Sequence, residues 1–159
     1  MPHRPRVLVA SFVAAVLLVA GCGPEAEQTP GDCFAGAPAF LDAVQAAPGV
    51  VLLEGGTPIS DCLTKDQPAG DLNEVGQALI VAATKLNGEA RKRPAGSAAI
   101  ELGYLLGAAD AGAAGTGGVH TDLIRRLNSA ARFSRGGDVL GAEFERAFGA
   151  GYAAARESG

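Results

Sequence analysis

The chain has 159 residues, with 13 Lys+Arg against 17 Asp+Glu and a formal net charge of −4. An acidic balance argues against nucleic acid as the main partner. Alanine and glycine, 32 and 23 residues, supply much of the 48% hydrophobic content and Trp is absent, so a core here relies on close backbone approach more than on bulk.

The chain opens with Arg4 and Arg6 and then runs from Val7 to Ala20 without a charge. This apolar stretch suits a signal-peptide core and falls short of the roughly 20 residues a spanning helix needs. It ends in Val19-Ala20-Gly21-Cys22: an aliphatic residue, a small residue, glycine, then cysteine. These four residues resemble the lipobox of bacterial lipoproteins. The resemblance covers only the leader. It implies a diacylglyceryl group on the Cys22 sulfur, cleavage before Cys22 and anchoring to the outer face of a membrane, because two acyl chains hold stably where one does not. The arginines are not adjacent, which disfavours a twin-arginine route.

Three segments are therefore expected: a signal peptide over 1–21, a lipidated tether over 22–32 and a helical globular domain over 33–159. The tether contains two prolines and no apolar periodicity, as a mobile spacer would. Charge is uneven beyond the leader. Residues 22–89 hold ten acids and two bases, and residues 90–159 seven acids and nine bases. This reads either as a surface polarised toward a charged envelope polymer or as ordinary scatter over solvated faces. With Cys22 used for lipid, Cys33 and Cys62 are left to form one disulfide in an oxidising compartment.

An all-α array of about five short helices is predicted. The first covers 34–47, with Pro38 early and Phe40, Leu41, Val44 and Ala47 inward; Pro48-Gly49 ends it. Residues 50–66 read equally as a small hairpin around Gly55-Gly56 or an irregular loop pinned by Cys62. A long helix over 71–92 has Asp71 as cap, Glu74 three residues later as a capping box, and an apolar stripe from Leu72 to Leu86. A helix over 97–114, capped by Ser97, carries Leu102, Leu105, Leu106 and Ala109. Beside them Gly103, Gly107 and Ala111 make a smooth groove for a partner helix within the chain. Gly112–Gly118 reads as a flexible break. Then come a helix from His120 or Thr121 to about Ser134, with Leu123, Leu127 and Ala130 inward, and a last helix from Asp138, its cap, to about Arg156. The final three residues are expected to fray.

Chemistry is sparse. His120 is the only histidine after the leader. At the edge of a glycine-rich loop it reads either as a capping or surface residue or as a ligand-contacting group. Gly115-Thr116-Gly117-Gly118 lacks the lysine of a phosphate loop. Glu143 and Glu145 do not share a helix face, and Glu101 and Asp110 fall far apart along one helix. No HExxH, CxxC or acidic calcium loop is present, so no metal or cofactor is expected. Tyr104, Phe133, Phe144, Phe148 and Tyr152 form core or line an apolar ligand pocket, with Tyr104 the second candidate ligand contact.

The functional expectation is an exported, non-enzymatic lipoprotein that binds or scaffolds an envelope protein or polymer. The alternatives are a small-molecule or lipid carrier with an interhelical cavity, and an enzyme using His120.

Overall fold

The structure, a computed structural model, describes residues 28–134, 136 and 140–158. The expected signal peptide, Cys22, most of the expected tether and Asp138 lie outside the described residues. Five helices are found: α1 (Gly36–Ala43), α2 (Ala69–Lys92), α3 (Ser97–Ala114), α4 (Thr121–Arg132) and α5 (Ala142–Ser158). Among the described residues there is no strand, and the fold is all-α. Short 3-10 turns cover Gly31–Phe34, Val44–Ala46 and Ile59–Cys62.

The helix α3 is the centre. Ala98, Ala99 and every residue from Leu102 to Ala109 are buried, so it lacks the solvated face of an ordinary surface helix. It packs most extensively on α5. The expected groove explains how. A Cβ at Gly103 would run into the Phe148 carbonyl, and one at Gly107 into the Tyr152 carbonyl. From the other side, a Cβ at Gly151 would run into the Ile100 carbonyl. The two backbones therefore touch, with Phe144, Phe148 and Ala155 closing over the seam. Ala111 does not continue this groove; it sits beside Gly112, facing the Ser60–Thr64 segment.

The long helix α2 lies against α1, α3 and α4. Its stripe of Val75, Leu79, Ala82, Ala83 and Leu86 is buried. It starts earlier than expected. Pro68 occupies the cap with an extended ψ of 142°, and no side chain caps the end. A proline fixes φ and makes a ready helix start, so Asp71 falls inside the first turn and forms no capping box. There it still favours the positive end of the dipole. Ser97 is likewise the first residue of α3, after Gly96, and makes no cap bond.

Other boundaries also shift. The first predicted helix is divided: α1 stops at Ala43, a 3-10 turn follows, and Ala47 is extended before Pro48, as a residue preceding proline prefers. Phe40 and Val44 are fully buried. In α4, Leu123 and Leu127 point inward as expected, with Ala131 rather than Ala130 the third fully buried residue. That helix ends at Arg132, whereas α5 continues to Ser158. The C-terminal residues Glu157 and Ser158 are helical, and Ser158 Oγ bonds the Ala154 carbonyl at 2.8 Å.

Residues 50–66 form the irregular loop pinned by Cys62 rather than a full hairpin. One antiparallel bridge joins Leu52 to Pro58, Leu53 N–H donates to the Thr57 carbonyl at 2.9 Å, and Gly56 supplies a positive φ of 87°. The Cys33–Cys62 disulfide is present, with Cα atoms 5.6 Å apart and both residues fully buried. The last part of the expected tether is packed, not mobile. Thr29 is buried, and the Asp32 carboxylate accepts from Thr57 Oγ1 at 2.7 Å.

Candidate functional site

The expected break over 112–118 is partly helix. The helix α3 continues through Ala114, and Gly112 is needed because a Cβ there would overlap the Ser60 carbonyl. The true turn spans 115–120. Gly117 and Gly118 carry it with φ of 65° and 93°, values that side-chain-bearing residues rarely adopt. Thr116 is buried within it.

That turn delivers His120 to the interior. His120 occupies the cap position of α4, but its side chain makes no cap bond and is fully buried. It is neither a surface nor a capping histidine. Its Nε2 lies 2.8 Å from Gln67 Oε1, and its Nδ1 2.9 Å from Thr116 Oγ1. Hydrogen-bond logic assigns the tautomer. Gln67 Nε2 donates to the Cys62 carbonyl at 2.9 Å and to Thr29 Oγ1 at 2.9 Å. Because a carbonyl only accepts, Gln67 Oε1 must face the imidazole, and His120 Nε2 carries the proton. The Thr116 hydroxyl proton is shared between Nδ1 and the Ala113 carbonyl, 2.7 Å away. Burial holds the imidazole pKa below its ordinary value of 6.5.

The imidazole thus joins four segments: the N-terminal root at Thr29, the disulfide loop at Cys62, the end of α3 and the start of α4. Both ring nitrogens are engaged. Tyr104 is also buried, and its hydroxyl lies 2.9 Å from Ser158 Oγ. Since Ser158 donates to Ala154, Tyr104 is the donor. The structure does not bring His120 and Tyr104 into a common cleft: neither lines any of the clefts described below.

The aromatics divide similarly. Phe144 and Phe148 are core, stacked at 5.7 Å, and Tyr152 follows Phe148 at 6.2 Å. Arg132 lies over the Phe148 ring at 5.6 Å. Phe133 is 61% exposed and outside the core. Asp110 accepts from Tyr152 Oη at 2.7 Å and pairs with Arg156 at 3.1 Å. Burial and the Asp110 carboxylate raise the Tyr152 pKa above 10.0. This cluster fastens the outer end of the α3–α5 seam. Among the described residues no three His, Cys, Asp or Glu side chains converge as a metal site.

Surface clefts lie elsewhere among the described residues. One, of about 220 Å³, lies between α2 and α4 around Leu72, Gly76 and Leu123. A second, of about 410 Å³, borders the Asp110–Arg156 pair. The third, of about 420 Å³, opens where the N-terminal root meets the Ser60–Thr64 segment and α3. No sequence motif marked it, because its walls come from three distant stretches of chain. A signal existed only indirectly: Cys62 pins the 3-10 turn that forms one wall.

No family model, curated protein or solved structure matches this chain. Its function is therefore argued from its own residues.

Proposed function

We propose that the chain is the precursor of an extracytoplasmic lipoprotein, held to a membrane through lipid on Cys22, whose helical domain serves a non-enzymatic binding or scaffolding role in the cell envelope. The observation that carries this reading is Val19-Ala20-Gly21-Cys22 at the end of an uncharged run. Three features are consistent with it. A buried disulfide persists in oxidising compartments. No helix among the described residues is long and apolar enough to cross a membrane. The α3–α5 seam is filled by backbone contact, as suits a rigid partner-binding body better than an apolar carrier.

Geometry adds a constraint. Thr29 lies seven positions beyond Cys22, and an extended chain spans at most about 3.5 Å per residue. The root would then stay within about 25 Å of the acylated cysteine, and the domain would present one end to the membrane.

The test is the intact mass of the protein extracted from its own membranes. The expected species begins at Cys22, carries acyl groups and is two protons light for the disulfide. Replacing Cys22 by Ala should release the domain from the membrane fraction. A chain that keeps Met1 and lacks lipid refutes the reading.

A further inference from the structure

The cleft at the N-terminal root has a chemistry of its own. Its polar wall is formed by Gln28, Ser60, Asp61 and Thr64, with Leu63 as apolar floor and Gly112 behind. Among the described residues neither Lys nor Arg lines it. Ser60 Oγ donates to the Asp61 carboxylate at 3.2 Å, which leaves the hydroxyl lone pairs and the outer carboxylate oxygen as acceptors. Thr64 is only 5% exposed. Its Oγ1 is the one buried side-chain oxygen among the described residues without a hydrogen-bond partner. Buried hydroxyls are normally paired; Oγ1 is turned away from solvent as it stands, and because Thr64 lines the cleft a turn about χ1 would offer this oxygen to an occupant.

The wall is built, not incidental. The disulfide fixes Cys62 one residue beyond Asp61. The Ser60 backbone rests on Gly112 so closely that no side chain fits between. Gln67, anchored by His120, holds the Cys62 carbonyl and Thr29 in place. An acceptor-rich cleft whose described lining holds one carboxylate and no base favours a donor-rich cation and opposes anions.

We propose that this cleft binds a small organic cation in which a protonated primary amine stands next to a hydroxyl or ether oxygen. The ammonium pairs with Asp61. The neighbouring oxygen meets Ser60 Oγ or Thr64 Oγ1. Two sources share this chemistry, an amino sugar and a small amino alcohol such as ethanolamine. The inference does not depend on lipidation of Cys22, so either proposal can fail alone.

The experiment uses the full-length chain in mild detergent, titrated with glucosamine, ethanolamine, glucose and glucose 6-phosphate. Backbone amide shifts provide the readout. Saturable shifts at residues 60–64 and 112 are expected with the two amines and not with glucose or its phosphate. Stronger binding of glucosamine assigns the amino-sugar source; stronger binding of ethanolamine assigns the amino alcohol. Asp61→Asn should weaken amine binding at least tenfold, and Thr64→Val several-fold, with melting temperatures near that of the parent. Absence of saturable shifts, equal response to the anion, or amine binding unaltered by Asp61→Asn each overturns the proposal. So does a Thr64→Val chain that binds as the parent does, since the orphan hydroxyl then serves only a water.

Discussion

The α3–α5 seam makes a prediction that two glycines of one helix can decide. Gly149 and Gly151 both lie within α5. A Cβ at Gly149 meets nothing within 4 Å, whereas one at Gly151 overlaps the Ile100 carbonyl and stands 2.9 Å from the Tyr104 nitrogen. Alanine is preferred over glycine inside a helix by about 1 kcal/mol. Gly149→Ala should therefore stabilise by roughly 0.5–1 kcal/mol. Gly151→Ala receives the same propensity gain but must force α5 off α3, and no flexible side chain can yield. Overpacking typically costs about 1–3 kcal/mol. A clash with backbone belongs at the upper end, and separating the helices also loosens Phe148 and Tyr104. A net loss of about 2 kcal/mol, and a gap of roughly 3 kcal/mol between the two variants, is expected. At about 3–5 °C per kcal/mol for a domain of this size, their melting temperatures should differ by about 10 °C. Urea and thermal unfolding followed by circular dichroism measure both. If Gly151→Ala proved as stable as Gly149→Ala, the backbone contact that centres the fold would be wrong.

Three further outcomes follow from other contacts. Asn87 is buried, donates to the Ala130 and Phe133 carbonyls at 3.0 and 2.8 Å, and accepts from Arg91; because it closes the C-terminus of α4, Asn87→Ala should cost about 2 kcal/mol in urea unfolding, removing the donor to Ala130 while Phe133 keeps its bond from Arg91 Nε, and Asn87→Asp should cost more. Reducing Cys33–Cys62, which closes a separation of 29 residues, should lower the unfolding free energy by about 3.5 kcal/mol on loop-closure entropy, seen as a lower denaturation midpoint with reductant. Because burial holds the His120 pKa below 6.5, the unfolded chain binds the proton first as pH falls; the stability tied to neutral His120 is complete above pH 6.5 and declines below it toward the folded pKa. Urea midpoints compared at about pH 7.5 and 5.5 should show this loss in the parent and a smaller one in His120→Gln, with equal slopes counting against it.

Helix number and identity were legible because the apolar spacing is strong where large residues occur. Leu79, Leu86, Leu102 and Leu127 mark their helices, and each is buried. The glycine groove was also legible, since Gly103 and Gly107 sit four apart inside a helix where glycine is otherwise costly. Cap positions were not. Asp71 and Ser97 have the right side chains, but Pro68 and Gly96 precede them and set the helix start by backbone geometry alone. The loop at 115–120 looked flexible because glycine permits many conformations; in fact two of its glycines are held at positive φ by the need to turn His120 inward.

The site was hidden for a related reason. A polar residue in a one-dimensional sequence carries no mark of burial, and His120 beside three glycines has the composition of an exposed loop. Its partners are Gln67, 53 residues away, and through Gln67 the Cys62 carbonyl and Thr29. None of these residue types forms a motif. Only the disulfide spacing hinted that the 29–67 region folds back on itself, and it does so against the end of α3. The same convergence that engages both ring nitrogens of His120 leaves Thr64 Oγ1 without a partner a few residues from Gln67. A structure that pairs so remote a set of groups around the imidazole could also have paired one threonine hydroxyl. That contrast between a completed network and a single open bond is what separates the interior histidine, which holds the fold, from the cleft at the N-terminal root, where an occupant has something to gain.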